Sequence, residues 1–250
     1  MRARLTVVAL IGSLWMVPSM SRADTAAGQL VYNFTYSANQ NVQSRDSVNN
    51  VEDVNESGSL AAGNNGISHY GGSLTDKGTM TVNVLRRQPD GALVVMISEQ
   101  GENLRRASPA ECVVYGNTHV ICDPDKTIYT EEYTLLRFLG GNFVDPTALD
   151  ANRHWIVTQD SGLDNVHADY TINSDVNGMM QIGEKRSVKE SGAGHLTTDV
   201  ETKVGYDSKR SVPTSVDEYA TQYTDGGIKG TSRTIYQTTL SLVSDSVAKQ

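Results

Sequence analysis

Apolar and polar residues alternate with a period of two through most of the chain. Every second residue from Leu30 to Tyr36 is large and apolar, and residues 80–84 and 236–242 repeat the pattern. This period is typical of a strand that buries one face and exposes the other. The chain is therefore predicted to consist mainly of half-buried β-strands.

Turn signals separate these segments at roughly regular intervals. Pro-Asp-Gly at 89–91 and Asn-Gly at 177–178 each lie between two strand-like runs. Asn-Gly favours the tight turn that joins two antiparallel strands. This spacing indicates an antiparallel meander and argues against βαβ units.

One segment, Thr130–Leu139, has the period of a helix. Thr130 is expected to cap its start, and two glutamates follow at the positive end of the helix dipole. Leu135, Leu136 and Leu139 share a face that continues to Phe143, and glycines at 140–141 are expected to end the helix. The fold class predicted is mainly β: an antiparallel, curved, half-barrel-like meander with one amphipathic helix packed on it.

Residues 38–73 are rich in Asn, Ser and Gly and contain only scattered apolar residues. A long polar loop or a ragged edge hairpin accounts for this composition. A functional lid or recognition loop is the alternative, because long loops often carry function.

The N-terminus has the features of a secretory signal peptide. Arg2 and Arg4 precede an apolar run from Leu5 to Val17, and Ala23 ends a small-residue cleavage pattern. The run is shorter than the ~20 residues that span a bilayer. We expect residues 1–23 to be removed, leaving 24–250 as a single β-rich domain that is periplasmic or extracellular, with no transmembrane segment.

The two cysteines, Cys112 and Cys122, flank a predicted hairpin with its turn at 116–118. A three-residue loop places them directly opposite each other, within reach of a disulfide. A redox site would need Cys-x-x-Cys, and His119 falls on the face opposite both cysteines, which disfavours a zinc site. An exported protein is also expected to oxidise such a pair.

Charge and motifs exclude several classes of function. Loss of residues 1–23 removes three arginines and no acidic residue, so the formal net charge falls from −8 to −11. An acidic chain is not expected to bind nucleic acid, which requires clustered Lys and Arg. Nucleophile elbows, phosphate-binding loops and dinucleotide or zincin motifs are absent from the sequence. We therefore predict no cofactor, no metal and no catalytic residue.

Two acidic groupings are the nearest candidates for chemistry. Asp160, Asp164, His167 and Asp169 could hold a cation, but a solvated hairpin explains them equally. Paired carboxylates at 123–125 and 131–132 could perform glycosidic acid–base chemistry, but turn and helix capping explain those. A secreted hydrolase is therefore disfavoured.

The order of elements resembles that of periplasmic lipid and lipoprotein carriers of the LolA and LppX type: an N-terminal strand, hairpins, a central helix and a long C-terminal meander. The resemblance covers most of residues 28–245 and includes no diagnostic motif. It implies an apolar concave face that binds acyl chains, with the helix as a plug. The ligand-cavity candidates it implies are Met80, Val82, Val84, Leu135, Leu136, Leu139, Phe143 and Trp155.

The leading hypothesis is an exported binding protein that carries a hydrophobic ligand such as a lipid. The alternative is a structural or partner-binding envelope protein without a small ligand, in which the same side chains form an ordinary core. An unfilled apolar cavity would favour the carrier. An exposed apolar patch or open strand edge would favour the partner-binding protein.

Overall fold

The computed structural model describes residues 28–44, 52–54, 60–62, 68–103, 109–116, 118–140, 144, 149–160, 164–190, 196–225 and 231–246. The strands are β1 (Gly28–Ser44), β2 (Glu52–Val54), β3 (Leu60–Ala62), β4 (Ser68–Arg87), β5 (Leu93–Gly101), β6 (Ala110–Val114), β7 (Val120–Cys122), β8 (His154–Asp160), β9 (Asp164–Val176), β10 (Met179–Glu190), β11 (Leu196–Asp207), β12 (Val212–Asp225) and β13 (Thr231–Asp245). The helix, α1, spans Thr130–Arg137.

The strands form one curved, open sheet in the order β7-β6-β5-β4-β1-β13-β12-β11-β10-β9-β8. Every neighbouring pair along this path is antiparallel. The short β2 and β3 lie off the path, and β2 meets β4 through a parallel bridge. The predicted fold class, an antiparallel curved sheet with one helix packed on it, is confirmed.

The turns form where the sequence places them. Asn177 and Gly178 both have positive φ, 56° and 88°, as a two-residue turn between antiparallel strands requires. Gly91 ends the Pro-Asp-Gly turn between β4 and β5 with a φ of 88°. Asn tolerates the left-handed region, whereas a side chain at the φ of 88° found at Gly91 and Gly178 would be strained, so these two glycines fix the turns.

Fewer residues of the polar segment 38–73 lie outside strands than a long loop would have. β1 continues to Ser44, β4 begins at Ser68, and β2 and β3 lie between them. Polar residues form strands here because paired neighbours supply their backbone hydrogen bonds, and β1 pairs with β4 as far as Ser44↔Ser68. The remaining residues of the predicted loop lie outside the described ones.

The helix begins and ends slightly differently from its prediction. Tyr129, and not Thr130, occupies the cap position, and its backbone N–H donates to Glu132 Oε2 at 3.0 Å. Regular helix stops at Arg137, two residues before Leu139, and a tighter turn carries the chain to Gly140 with a φ of 92°. The capping glutamate, which reaches back to the residue before the helix, moves the start by one position.

One face of the sheet, the inner face, carries the core. Its buried side chains come from both halves of the sheet, which we call the N-terminal wing (β1 and β4–β7) and the C-terminal wing (β8–β13). They join with α1 in a single cluster. The curvature of the sheet, produced by strand twist, brings the two wings toward each other around that cluster.

The predicted disulfide is confirmed. Cys112 and Cys122 are opposed across β6 and β7, with Cα atoms 4.0 Å apart and a bond between their sulfurs. Val113↔Ile121 and Val114↔Val120 follow the register expected from a three-residue loop. The bond ties the three-residue β7, an edge of the sheet, to β6.

We predict that removing the disulfide lowers the free energy of unfolding by about 2–3 kcal/mol, because the unfolded chain gains the freedom of the open loop. Urea titration of the Cys112→Ala/Cys122→Ala variant, with the oxidised protein beside it, measures the difference. Dithiothreitol should destabilise the parent protein and leave the variant unchanged. Equal stability of oxidised parent and variant would contradict the prediction.

Candidate functional site on the helix-covered inner face

The residues predicted to line a ligand cavity lie together on the inner face. Met80, Val82 and Val84 come from β4, Trp155 comes from β8, and the leucines come from α1 and the turn after it. Each is at most 6% exposed. Trp155 stacks on Tyr170, with ring centroids 4.9 Å apart. Phe143 lies outside the described residues.

α1 bridges the wings, because it contacts β12 on one side and β7 on the other. The turn that follows α1 is fixed to the C-terminal wing. The Gly140 N–H donates to the Ser211 carbonyl at 3.0 Å, and the Tyr206 hydroxyl donates to the Gly140 carbonyl at 2.6 Å. This end of the inner face, where α1 meets the β11–β12 turn, is called the closed end below.

A buried ion network lies beneath the helix. The Arg137 guanidinium donates to Glu184 Oε1 of β10 at 2.7 Å and to Glu218 Oε2 of β12. Arg137 is 2% exposed, and Glu184 and Glu218 are 2% and 5% exposed. We call this group the Arg137 network.

Hydroxyl groups supply the remaining hydrogen bonds of the two carboxylates. Thr134, one turn before Arg137, donates to Glu218 Oε1 at 2.8 Å. Thr202 of β11 donates to Glu184 Oε2 at 2.6 Å, and Tyr170 of β9 donates to Glu184 Oε1 at 2.8 Å. Four strands and one helix therefore meet at the two buried carboxylates.

The network keeps its charges despite its burial. Burial alone would lower the pKa of Arg137, but the charges of Glu184 and Glu218 outweigh it and raise the pKa above its ordinary value. Burial would raise the pKa of Glu184, but Arg137 and the Thr202 hydroxyl hold that pKa below its ordinary value. Burial and the Glu184 charge raise the pKa of Tyr170, so its hydroxyl remains a donor.

Sequence reasoning identified the apolar residues of this site and missed the Arg137 network. A signal was present: Glu184 follows Ile182 by two residues and Glu218 follows Val216 by two, so both stand at inward positions of alternating strands. Charged residues are rarely fully buried unless paired. An inward-facing carboxylate on each of two strands therefore predicts a cation on the element that packs over them.

Opposite the closed end, the inner face remains open. A cleft of about 410 Å³ lies across the neighbouring strands β4, β1, β13 and β12. Ala38, Leu74 and Tyr236 line it together with Gln222 and Thr234. Ala38 pairs with both Leu74 and Tyr236 across neighbouring strands. The inner face is thus covered at its closed end and exposed at this open end.

The other acidic candidates do not form a comparable site. His154 Nε2 lies 3.4 Å from Asp169 Oδ1, and His167 Nε2 lies 3.5 Å from Asp169 Oδ2. Asp160 and Asp164 stand at the ends of β8 and β9, where Asp160 pairs with Asn165. Within the described ranges, no three His, Cys, Asp or Glu residues are grouped as ligands of a metal ion.

The carboxylates near the helix start also separate. Asp123 accepts the Asp125 N–H in a turn, whereas Glu131 and Glu132 are buried on α1. The described part of the chain contains no helix that is long and apolar enough to cross a membrane.

We predict that Arg137→Met destabilises the protein by about 3–5 kcal/mol, because it leaves two buried carboxylates without their cation. Urea unfolding followed by circular dichroism measures this. The control is Arg153→Met, which removes a partly exposed ion pair with Asp175 and should cost under about 1 kcal/mol. Equal effects of the two substitutions would contradict the central role of the network.

The network also predicts acid sensitivity. The folded-state pKa of Glu184 lies below its unfolded value of about 4.3, so its contribution is complete above that value and is lost as pH falls through the folded pKa. The free energy of unfolding should therefore drop at acidic pH more steeply in the parent than in Glu184→Gln. Parallel pH profiles would refute this assignment. The variant comparison is needed because Asp207 also has a lowered pKa.

Comparison with known proteins gives little similarity. No known protein family matches the chain, and no curated protein matches it. Among solved structures, a lipovitellin chain, described for its lipid–protein interactions, has a TM-score of 0.40 and 9% identity to this chain. The match covers 88% of this chain and 26% of that one, so this chain spans about a quarter of lipovitellin's length. A likeness at this level carries no argument about function, and the resemblance to LolA- and LppX-type carriers stays a hypothesis.

Proposed function

We propose that the protein is an exported binding protein that holds a hydrophobic ligand, such as the acyl chain of a lipid, against the inner face, with α1 as the plug. The observation that supports this most directly is the unfilled cleft of about 410 Å³ at the open end, where Ala38, Leu74 and Tyr236 continue the apolar inner face beyond the core. No catalytic step is part of the proposal.

The dimensions of the elements favour a shell over a sheet with a helical layer. An eight-residue helix is about 12 Å long. The twelve-residue β11 extends about 40 Å, and the eleven strands of the path would span about 48 Å if laid flat. A helix of this size covers only a small part of such a face, so the wings must cover each other. A shell of this kind can separate its wings by moving a small plug.

The attachment of α1 suits a plug that moves as a unit. Its C-terminal half is held by the Arg137 network, and the following turn is held by Tyr206 and Ser211. In some proteins buried ion pairs select one arrangement over others without adding net stability. The network would return the helix to one position after each release of ligand.

The open end supplies a route to the inner face. Leu74 is 47% exposed there, and Ala38 and Tyr236 continue the inner face of β1 and β13 beyond the core. An acyl chain entering at this cleft would meet Tyr36 and Phe34 next along β1. The confirmed disulfide supports the proposed export, because disulfides persist in oxidising compartments.

The test starts with protein purified from an exporting host. Native mass spectrometry and organic extraction should show a bound acyl lipid. After delipidation, cis-parinaric acid should bind saturably, and Arg137→Met should take up this probe faster than the parent because the plug is less firmly held.

Arg153→Met, whose ion pair lies away from the helix, should take up the probe at the parental rate. A lipid-free monomer that gives no saturable probe signal would contradict the proposal. A lipid-free mass would favour the partner-binding function described next.

The second candidate is an envelope protein that binds a protein partner. One observation favours it: β8 ends the sheet path, and its Ile156 is 51% exposed. An edge strand with an exposed apolar side chain is a template for another strand. This function would be supported over the carrier if the lipid-free protein forms a stable complex with a protein partner and Ile156→Lys abolishes that complex.

A further inference from the structure

A second cavity lies on the opposite side of the sheet from the core. The outer face of the C-terminal wing carries a groove of about 680 Å³ that runs across β8 to β13. A neighbouring cavity of about 490 Å³ shares Asp169, Lys185, Glu201 and Tyr219 with it, so the two are continuous. We call this the outer groove.

Gly183 forms the floor of the outer groove. It pairs with Thr171 and Lys203 on either side, in the middle of the wing. A Cβ atom at this position would lie 3.2 Å from Asn173 Nδ2, so a larger side chain would press on a residue that lines the groove. Glycine inside a strand marks a bulge, a tight bend or a place where a ligand or another backbone approaches closely, and the register between β9 and β10 shifts next to it, at Gln181/Ile182.

The charges in the groove are balanced. One cross-strand row contains Asp169, Lys185 and Glu201, in which the lysine is opposite both carboxylates. The next row places Lys203 opposite Asp217. These two rows contain two lysines and three carboxylates, which give no positive field that would select an anion but provide many hydrogen-bond donors and acceptors.

Tyr219 forms the wall of the groove on β12. It is 45% exposed and lies between Glu201 and Gln237 in the register. A flat amphipathic ring next to amide and carboxylate groups offers one apolar surface with hydrogen-bonding groups around it. The backbone groups of the paired strands bond to each other in the plane of the sheet, so a ligand here meets side chains only.

We propose that the outer groove binds a neutral, polyhydroxylated ligand, an oligosaccharide. The C–H face of a sugar ring would pack on Tyr219, and its hydroxyls would bond to the lysines, carboxylates and amides. Hydroxyls donate and accept, which matches a wall of alternating donors and acceptors better than an ion or an apolar chain does. From β8 to β13 the groove crosses five strand spacings of ~4.8 Å, about 24 Å, so it fits several sugar rings and not a single one.

This site is independent of the proposed carrier function. Side chains alternate between the faces, so Gly183 and Tyr219 point outward while their neighbours Glu184 and Glu218 point inward to Arg137. A ligand in the outer groove and an acyl chain on the inner face would be separated by the thickness of the sheet. Failure of either function leaves the other standing.

Isothermal titration calorimetry with cellohexaose, hexa-N-acetylchitohexaose, xylohexaose and mannohexaose tests the proposal, with hexagalacturonate as an anionic comparison. At least one neutral hexasaccharide should bind. Tyr219→Ala should weaken that binding by about tenfold or more. Gly183→Val should weaken it similarly, because its side chain fills the floor.

The matched control is Tyr133→Ala, which removes an exposed tyrosine of α1 outside the groove and should leave the affinity unchanged. Circular dichroism and urea unfolding check that each variant is folded, and Tyr219→Ala provides the test if Gly183→Val is not. The proposal is overturned if no neutral hexasaccharide binds to the folded parent. It is also overturned if binding is indifferent to Tyr219→Ala, or if only hexagalacturonate binds.

Discussion

The position of α1 depends on one buried cation. The helix has only eight residues, and its two leucines could slide along an apolar sheet at little cost. Arg137 removes that freedom, because its guanidinium must meet Glu184 on β10 and Glu218 on β12 together. Taking three charges out of water is costly, and any displaced arrangement would leave at least one of them unpaired. The network therefore selects a single position for the helix, and with it the closed end of the inner face.

The same strands serve two faces with different physical character. Alternation puts Glu184, Thr202 and Glu218 in the interior and places Gly183, Lys203 and Tyr219 on the outer groove. Packing against the helix fixes the inward residues, which in turn fixes the backbone that presents the outward ones. The charged core on the inner face thus holds rigid the backbone that forms the outer groove. This coupling is geometric, since both sets of side chains leave the same backbone.

Local features of the sequence predicted the strands and turns because their physical causes are local. Asn177 and Gly178 have the positive φ that Asn-Gly favours in a hairpin turn, and the short loop at 116–118 places Cys112 opposite Cys122 by counting alone. The helix ends moved by one or two residues because Glu132 bonds back to Tyr129, a detail that periodicity does not contain. For a related reason, the sequence of 38–73 did not distinguish a polar loop from a ragged hairpin: strands without an apolar face show no alternation, although β1 and β4 pair there.

The sequence by itself determined that the chain forms an antiparallel meander with one helix, a stapled hairpin and an apolar face containing Met80, Leu135 and Trp155. These follow from periodicity, turn chemistry and residue type, which act over a few residues. Tertiary structure alone decided that β1 lies between β4 and β13, that the two wings share one core, and that Arg137 meets carboxylates 47 and 81 residues away. It also decided that Tyr219 and Gly183 share a groove, because strand order and sheet curvature set those distances and no local pattern records either.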